Sequence, residues 1–208
     1  YKIIDTKVFI IPHSVKFNKI NKSTNNKKPI VNFKITHTGS LLEPRNPKTF
    51  LEVFDGFKKL RANLEFYGPI HKNIYEDIKT FKSDEILIVN KRIPYTSTLD
   101  IQRDASFLLL IESGAEFSPF LPTKFVDYIN SGKPIIVLSP KKSEVSRLLG
   151  VDYPFIATLN DKIRISTIFE NIYNPLMIEK ALKIINCLKD YFSEDYINTQ
   201  YSKFLNLK

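Results

Sequence analysis

Six short runs of apolar, β-branched and aromatic residues mark the chain, at 31–37, 64–67, 86–90, 106–111, 134–138 and 154–157. Each reads as a strand, and helical patterns lie between them. In the clearest of these, Phe50, Val53, Phe54 and Phe57 fall at i, i+3, i+4 and i+7, with Asn46 as N-cap and Pro47 at the first helical position. A second helix is expected to open near Pro122, turn Phe125 and Ile129 inward, and stop at Ser131 and Gly132. A longer helical tract starts at Asn174 and Pro175 and runs toward Lys208. Strands alternating with helices predict an α/β fold, a doubly wound parallel sheet of about six strands with helices on both faces. The expected strand order is 3-2-1-4-5-6, which makes the first and fourth strands neighbours where the winding reverses. Ligands of open α/β sheets bind outside the carboxyl ends of the strands at such a point. The loops after residues 38 and 111 are therefore the places to look for chemistry.

Three regions follow from the pattern. Residues 1–30 hold a short strand, KVFIIP, and a polar linker. Residues 31–173 carry the α/β repeat, and residues 174–208 form the helical tract. Tyr191, Phe192, Tyr196, Tyr201 and Phe204 in that tract read as packing surface.

The loop after the first strand reads THTGSLLEPRNPKTF. Gly39 ends the strand, and its missing Cβ lets a ligand approach the backbone. Arg45 lies just before a helix start, where its forked donors and the positive end of the helix dipole can hold a phosphate together. The loop after the fourth strand reads ESGAEFSPFLPTKFVDYINSGKPIIV. Its helix opens at Pro122, and Thr123 and Lys124 add a hydroxyl and a cation in the first turn, a good cradle for a pyrophosphate. Asp127, one turn further on, can accept hydrogen bonds from ribose hydroxyls. Taken singly, Gly39 is also an ordinary turn residue, and Arg45, Lys124 and Asp127 are ordinary exposed charges. Two such loops meeting in one crevice favour binding.

Composition narrows the classes. The 208 residues are 43% hydrophobic and 25% charged, which is globular rather than disordered. The longest apolar run, Phe107 to Ile111, is far short of the ~20 residues of a membrane helix. The start at Tyr1 lacks the apolar core of a secretory signal, and a start other than Met suggests a piece of something longer. The net charge of +9 owes much to six lysines at 16, 19, 22, 27, 28 and 34, a stretch without an acid. Most of them lie in KFNKINKSTNNKKP, which reads as a solvated linker rather than a nucleic-acid footprint, with contact to an anionic membrane as the alternative. Cys187 is the only cysteine, which excludes an internal disulfide; it reads as a small core residue. His13, His37 and His71 have no Cys or carboxylate partners at ligand spacing, so no metal site is expected. The six glycines are scattered and form neither a GxGxxG nor a P-loop, which argues against nicotinamide, flavin and P-loop chemistry.

At these residues the chain resembles the retaining glycosyltransferases with the two-domain GT-B architecture. HTGSLLEPRNPKTFLEVFDGFKKL is similar to the first strand, glycine loop and helix of their C-terminal, Rossmann-like half. LEFYGPI is similar to the second strand, and ILIVNKRIPYTSTLDIQRDASFLLL to the third and fourth. LPTKFVDYINSGKPIIVLSPKKSEVSRLL resembles the donor-binding helix, and KVFIIPHSV the segment entering the interdomain linker. The order of segments matches over nearly the whole chain.

The resemblance implies a nucleoside-diphosphate sugar, UDP- or GDP-linked, as donor substrate, and no cofactor or metal besides. Gly39 and Ser40 would line its diphosphate, and Arg45 and Lys124 would act catalytically on it. Leu121, Pro122 and Thr123 would complete the cradle, Asp127 would hold the ribose, and Arg92, Ile93, Pro94 and Tyr95 would lie near the base. The family's earlier acid, eight positions before the second, is Pro119 here, and Glu116 is the nearest substitute. The second acid is Asp rather than Glu, and Arg92 stands in place of a frequent glycine. The implied reaction is transfer of the sugar to a glycan or lipid-linked acceptor with retention, in the cytoplasm or at the inner face of the membrane. The acceptor site would belong to an N-terminal domain outside this chain, so the chain alone is not expected to be active. Two other readings stay open: a sugar-nucleotide epimerase, for which His37 is the candidate histidine, and a non-catalytic binding or regulatory domain.

Overall fold

The computed structural model describes residue 12 and residues 33–57, 61–81 and 84–205; the expected strand at 7–12 (apart from Pro12) and the linker lie outside them. The six main strands are β1 (Phe33–Thr38), β2 (Ala62–Tyr67), β3 (Ile86–Val89), β4 (Phe107–Ile111), β6 (Ile135–Leu138) and β8 (Ile156–Ala157). They form one sheet in the order β3-β2-β1-β4-β6-β8, and every pair is parallel. Counted among the main strands, this is the expected 3-2-1-4-5-6. Two further short strands, β5 (Phe117–Ser118) and β7 (Lys142–Ser143), pair with each other beyond the sheet. The central strands β4 and β6 are buried throughout, as strands covered by helices on both faces must be.

The helices are α1 (Lys48–Gly56), α2 (Lys72–Thr80), α3 (Tyr95–Asp104), α4 (Thr123–Ser131), α5 (Glu144–Leu149), α6 (Lys162–Asn171), α7 (Pro175–Tyr191) and α8 (Glu194–Phe204). They pack in two groups, α1 with α2 and α6, and α3, α4, α7 and α5 in succession, as the two layers of a doubly wound sheet require. Phe169 of α6 sits among Phe50, Phe54 and Phe57, with ring centroids 5.1, 6.0 and 5.6 Å away, so the predicted inward face of α1 is a real interface. The start is one residue later than expected: Pro47 is the N-cap and not the first helical residue, and Asn46 stands just outside, its Oδ1 accepting from Lys48 N at 3.1 Å in a local turn. α4 buries Phe125, Val126, Tyr128 and Ile129 and ends at Gly132, whose φ of 70° is the left-handed cap that glycine adopts at no steric cost.

The C-terminal tract is two helices, divided at Phe192 and Ser193, where the Ser193 side chain caps α8 by accepting from Tyr196 N. Phe192 is buried against Phe125, at 6.2 Å, whereas Tyr201 and Phe204 are about half exposed. Cys187 departs from expectation: it is exposed. The inward face of α7 is Ala181, Ile185 and Leu188, and at ~100° per residue Cys187 lies nearly opposite Ile185. Lys34 lies on β1, within the run expected as the first strand, and pairs with Asp104, with Glu65 4.0 Å away.

The carboxyl ends of β1, β2 and β3 are held together through two glycines. Gly39 N donates to Tyr67 O at 2.7 Å, and Gly68 N donates to Val89 O at 3.0 Å. Both have positive φ, +99° and +133°, and a Cβ on Gly68 would stand 2.7 Å from the carbonyl oxygen of Gly39. Gly68→Ala is therefore expected to destabilise the domain by about 1–3 kcal/mol from backbone strain alone, with the clash adding to it. Urea denaturation measures the loss, and an unchanged midpoint would show that the two loops pack differently.

Candidate functional site

The loops after β1 and β4 do meet. Gly114 N donates to Pro44 O at 3.0 Å, joining the turn after β4 to the single 3-10 turn Glu43–Arg45 that follows β1. Leu41 N donates to Pro69 O and His71 N to Leu41 O, so the β1 loop is also tied to the loop after β2. Between these loops, α3 and α4 lies a cleft of about 350 Å³ at the carboxyl edge of the sheet.

Gly39, Ser40, Arg92, Ile93, Thr123, Lys124 and Asp127, all expected at the site, line this cleft. Tyr95 is drawn in at its edge, its hydroxyl donating to Asp127 Oδ1 at 2.8 Å. Pro94 and Pro122 stand at the N-caps of α3 and α4, and Leu121 packs partly buried against the core, none of them lining the cleft. Arg45 does not line it either, but is near enough for its charge to act on both Lys124 and His37. Glu116 stays on an exposed turn away from the cleft lining. The buried acid of that loop is Glu112 instead, at the end of β4, accepting from Ser139 Oγ and, at 3.1 Å, from Ser118 Oγ. It is the first residue after β4, and no spacing in the sequence singled it out.

Lys124 is the central group. α4 is fixed to the tip of β1 by Tyr128, one turn after Lys124: the Tyr128 hydroxyl accepts from Thr38 N at 2.9 Å and lies 3.3 Å from Thr38 Oγ1. Burial pushes this phenol up to about 12, so it stays protonated in its strut role. On the same face, the Lys124 ammonium reaches Gly39, where a Cβ would stand 3.0 Å from Nζ. The bare Cα of Gly39 thus makes room first for Lys124, and only then for a ligand. None of the ion pairs among the described residues involves Lys124 or Arg45. Desolvation, helped by the Arg45 charge, brings Lys124 down to about 8. No side chain caps α4, so its first-turn amides add positive character to the same place.

Two buried polar groups frame this cation. His37 is fully buried, its Nδ1 2.8 Å from Leu109 O and its Nε2 3.4 Å from Lys124 Nζ. Burial, then the Lys124 charge, hold it well below the ordinary histidine range, so it is neutral. Gln102 of α3 lines the cleft floor, its Nε2 donating to Thr38 Oγ1 at 3.0 Å while its Oε1 is buried without a partner. Sequence reading named His37 only as the candidate histidine of an epimerase and did not single out Gln102, which reads locally as one polar position in a helix.

No protein-family model matches the sequence, and neither does any curated protein. Solved structures do. Anabaena HepE in complex with UDP and glucose superposes with a TM-score of 0.65 at 15% identity, over 85% of this chain and 49% of that one. Trehalose-6-phosphate from E. coli bound with UDP-2-fluoro glucose gives 0.63 at 9% identity, over 84% and 43%. An α,α-trehalose-phosphate synthase (UDP-forming) from Burkholderia xenovorans, in complex with glucose-6-phosphate, gives 0.62 at 10%, over 84% and 43%. The chain has the fold of a Rossmann-like domain of the GT-B glycosyltransferases, and it spans less than half the length of these structures. Identities this low establish the fold alone.

An unpaired cation in a cleft wall costs stability. Lys124→Met is expected to stabilise the domain by about 1–2 kcal/mol at pH 7, because it removes a buried charge without a counter-charge. The sign follows from linkage: below about pH 8 the folded state must hold the charge, and the cost is relieved as pH rises from there toward 10.5. The gain should therefore shrink above pH 8, and thermal melts of both proteins at pH 6.5 and 9.5 measure it.

Proposed function

We propose that the chain is the donor-binding half of a glycosyltransferase, and that its cleft holds the diphosphate of a UDP- or GDP-linked sugar. The observation that carries this reading is Lys124, a largely buried cation with no carboxylate partner among the described residues, set beside Arg45 at the start of an uncapped helix. An anion with several oxygens is what such a group lacks. The fold's likeness to proteins solved with UDP and glucose, or with UDP-2-fluoro glucose, supports a nucleotide sugar as that anion.

In this reading charge builds on the leaving diphosphate as the glycosidic bond breaks. Lys124, Arg45 and the α4 amides are in place beforehand to stabilise it. Asp127, oriented by the Tyr95 hydroxyl, accepts from the ribose, and Arg92 and Ile93 line the wall toward the base. The sugar passes with retention to a glycan or lipid-linked acceptor, which an N-terminal domain outside this chain would hold, in the cytoplasm or at the inner membrane face. The nearness of Arg45 and Lys124 favours this over a binding or regulatory domain without chemistry. The epimerase reading loses its candidate histidine, since both ring nitrogens of His37 are engaged and the ring is sealed from the cleft.

Calorimetric titration with UDP and GDP tests this. One nucleotide is expected to bind, with Lys124→Ala and Arg45→Ala each weakening it by about 10- to 100-fold, the loss of one charge-assisted contact. Affinity should hold steady from pH 6 to 7.5 and fall above pH 8, where free Lys124 has lost the proton that the diphosphate requires. Absence of binding by either nucleotide at millimolar concentration would overturn the reading.

A further inference from the structure

We propose that His37 is the positioning residue for Lys124, a neutral imidazole built into β1 that receives the ammonium at Nε2 and holds it over Gly39 at the cleft. The functional consequence rests on the donor-binding reading above; the interaction itself does not.

The position is unusual for its strand. Phe33, Ile35 and His37 alternate along β1 and all three are buried, so an apolar third residue would fill the place without the cost of a buried imidazole. The ring is engaged at both nitrogens. Leu109 O, 2.8 Å from Nδ1, is a carbonyl and can only accept, so Nδ1 carries the proton. Nε2 then carries the lone pair. Lys124 has donors and no acceptor, so its ammonium donates to Nε2 across 3.4 Å. A charged ring would set a third cation against Lys124 and Arg45 in a buried place.

The other side chains around the ammonium do not substitute for this acceptor. Arg45, from the turn after β1, and Arg92, in the cleft wall, are cations. Tyr67 lines the cleft, Asp127 on α4 receives the Tyr95 hydroxyl, and Tyr128 is committed to Thr38. The carbonyl of Gly39 is the second backbone acceptor near the His37 ring. A neutral acceptor suits this place better than a carboxylate, because a carboxylate would compete with the phosphate for Lys124. An imidazole fixes the ammonium's direction while leaving its charge uncompensated for the ligand.

Nitrogen NMR of the unmodified chain from pH 5 to 9 is the direct test. The His37 ring is expected to remain the neutral Nδ1–H form throughout; a proton on Nε2, or a ring that titrates near pH 6.5, overturns the proposal. In chains with labelled lysine, the Lys124 midpoint should fall in His37→Phe by at least about one unit, a tenfold change, and return in His37→Gln, whose amide oxygen can accept. An unmoved midpoint in His37→Phe overturns it. Should that variant not fold, the ring's tautomer and the Gln variant decide the matter. UDP affinity at pH 7 should fall at least about fivefold in His37→Phe, because both the direction and the charge of Lys124 are lost. If the NMR results hold and UDP binds none of the proteins, the role of His37 stands and the donor-binding reading is what fails.

Discussion

One half-buried ammonium organises the carboxyl edge of this sheet. Lys124 can be where it is only because α4 is bolted to the tip of β1 by the Tyr128 hydroxyl, one helical turn away on the same face. Its side chain then needs room beside residue 39, which glycine alone provides, and an acceptor behind it, which His37 supplies. The carbonyl of Gly39 in turn lies so close to residue 68 that a second glycine is required there. Four positions, on a helix, a strand and two loops, are thus constrained by one cation and the close packing it needs.

The arrangement is costly in itself. Most charges elsewhere in the domain are paired or solvated, such as Arg147 with Glu144 on α5 or Lys34 with Asp104. Lys124 has a neutral partner, a like-charged neighbour and a desolvated setting. Gln102 adds an unpartnered amide oxygen at the floor of the same cleft. Unsatisfied groups cluster where a protein meets a ligand, because the ligand completes them. The stability they give up is carried by the rest of the fold: the all-apolar β4 and β6, the aromatic cluster around Phe169, and Tyr153, whose hydroxyl bonds both the N–H and the carbonyl of Ile135.

The fold also explains why the site lies at an edge. A doubly wound sheet opens a crevice where its winding reverses, between β1 and β4, and here the loops from both strands are joined by a backbone hydrogen bond across it. The chain spans less than half of the glycosyltransferase structures that share its fold. In the reading proposed here it supplies one wall of a larger active site, with cations placed to meet a departing diphosphate and the acceptor brought from elsewhere.

The strands, their order and the two loops that meet at the cleft were legible in the sequence alone, because burial on both faces of a parallel sheet writes itself as short apolar runs between helical periods. Asn46 and Pro47 marked a helix start to within a residue, and Gly132 a helix end, for the same local reason: turns and caps depend on neighbours a few residues away. Lys124 and Arg45 could be listed as candidates from their places beside helix starts. That Lys124 is half-buried, that His37 stands behind it, and that Gln102 lies in the floor were decided only by tertiary structure, since the contacts of His37 and Gln102 join residues 64 to 87 positions apart. Cys187 went wrong for a related reason: a helix with apolar residues on several sides does not say which side faces the core until its neighbours are in place. Periodicity reports what a segment can bury; only the packed fold decides what it does bury, and which charges are left facing the cleft.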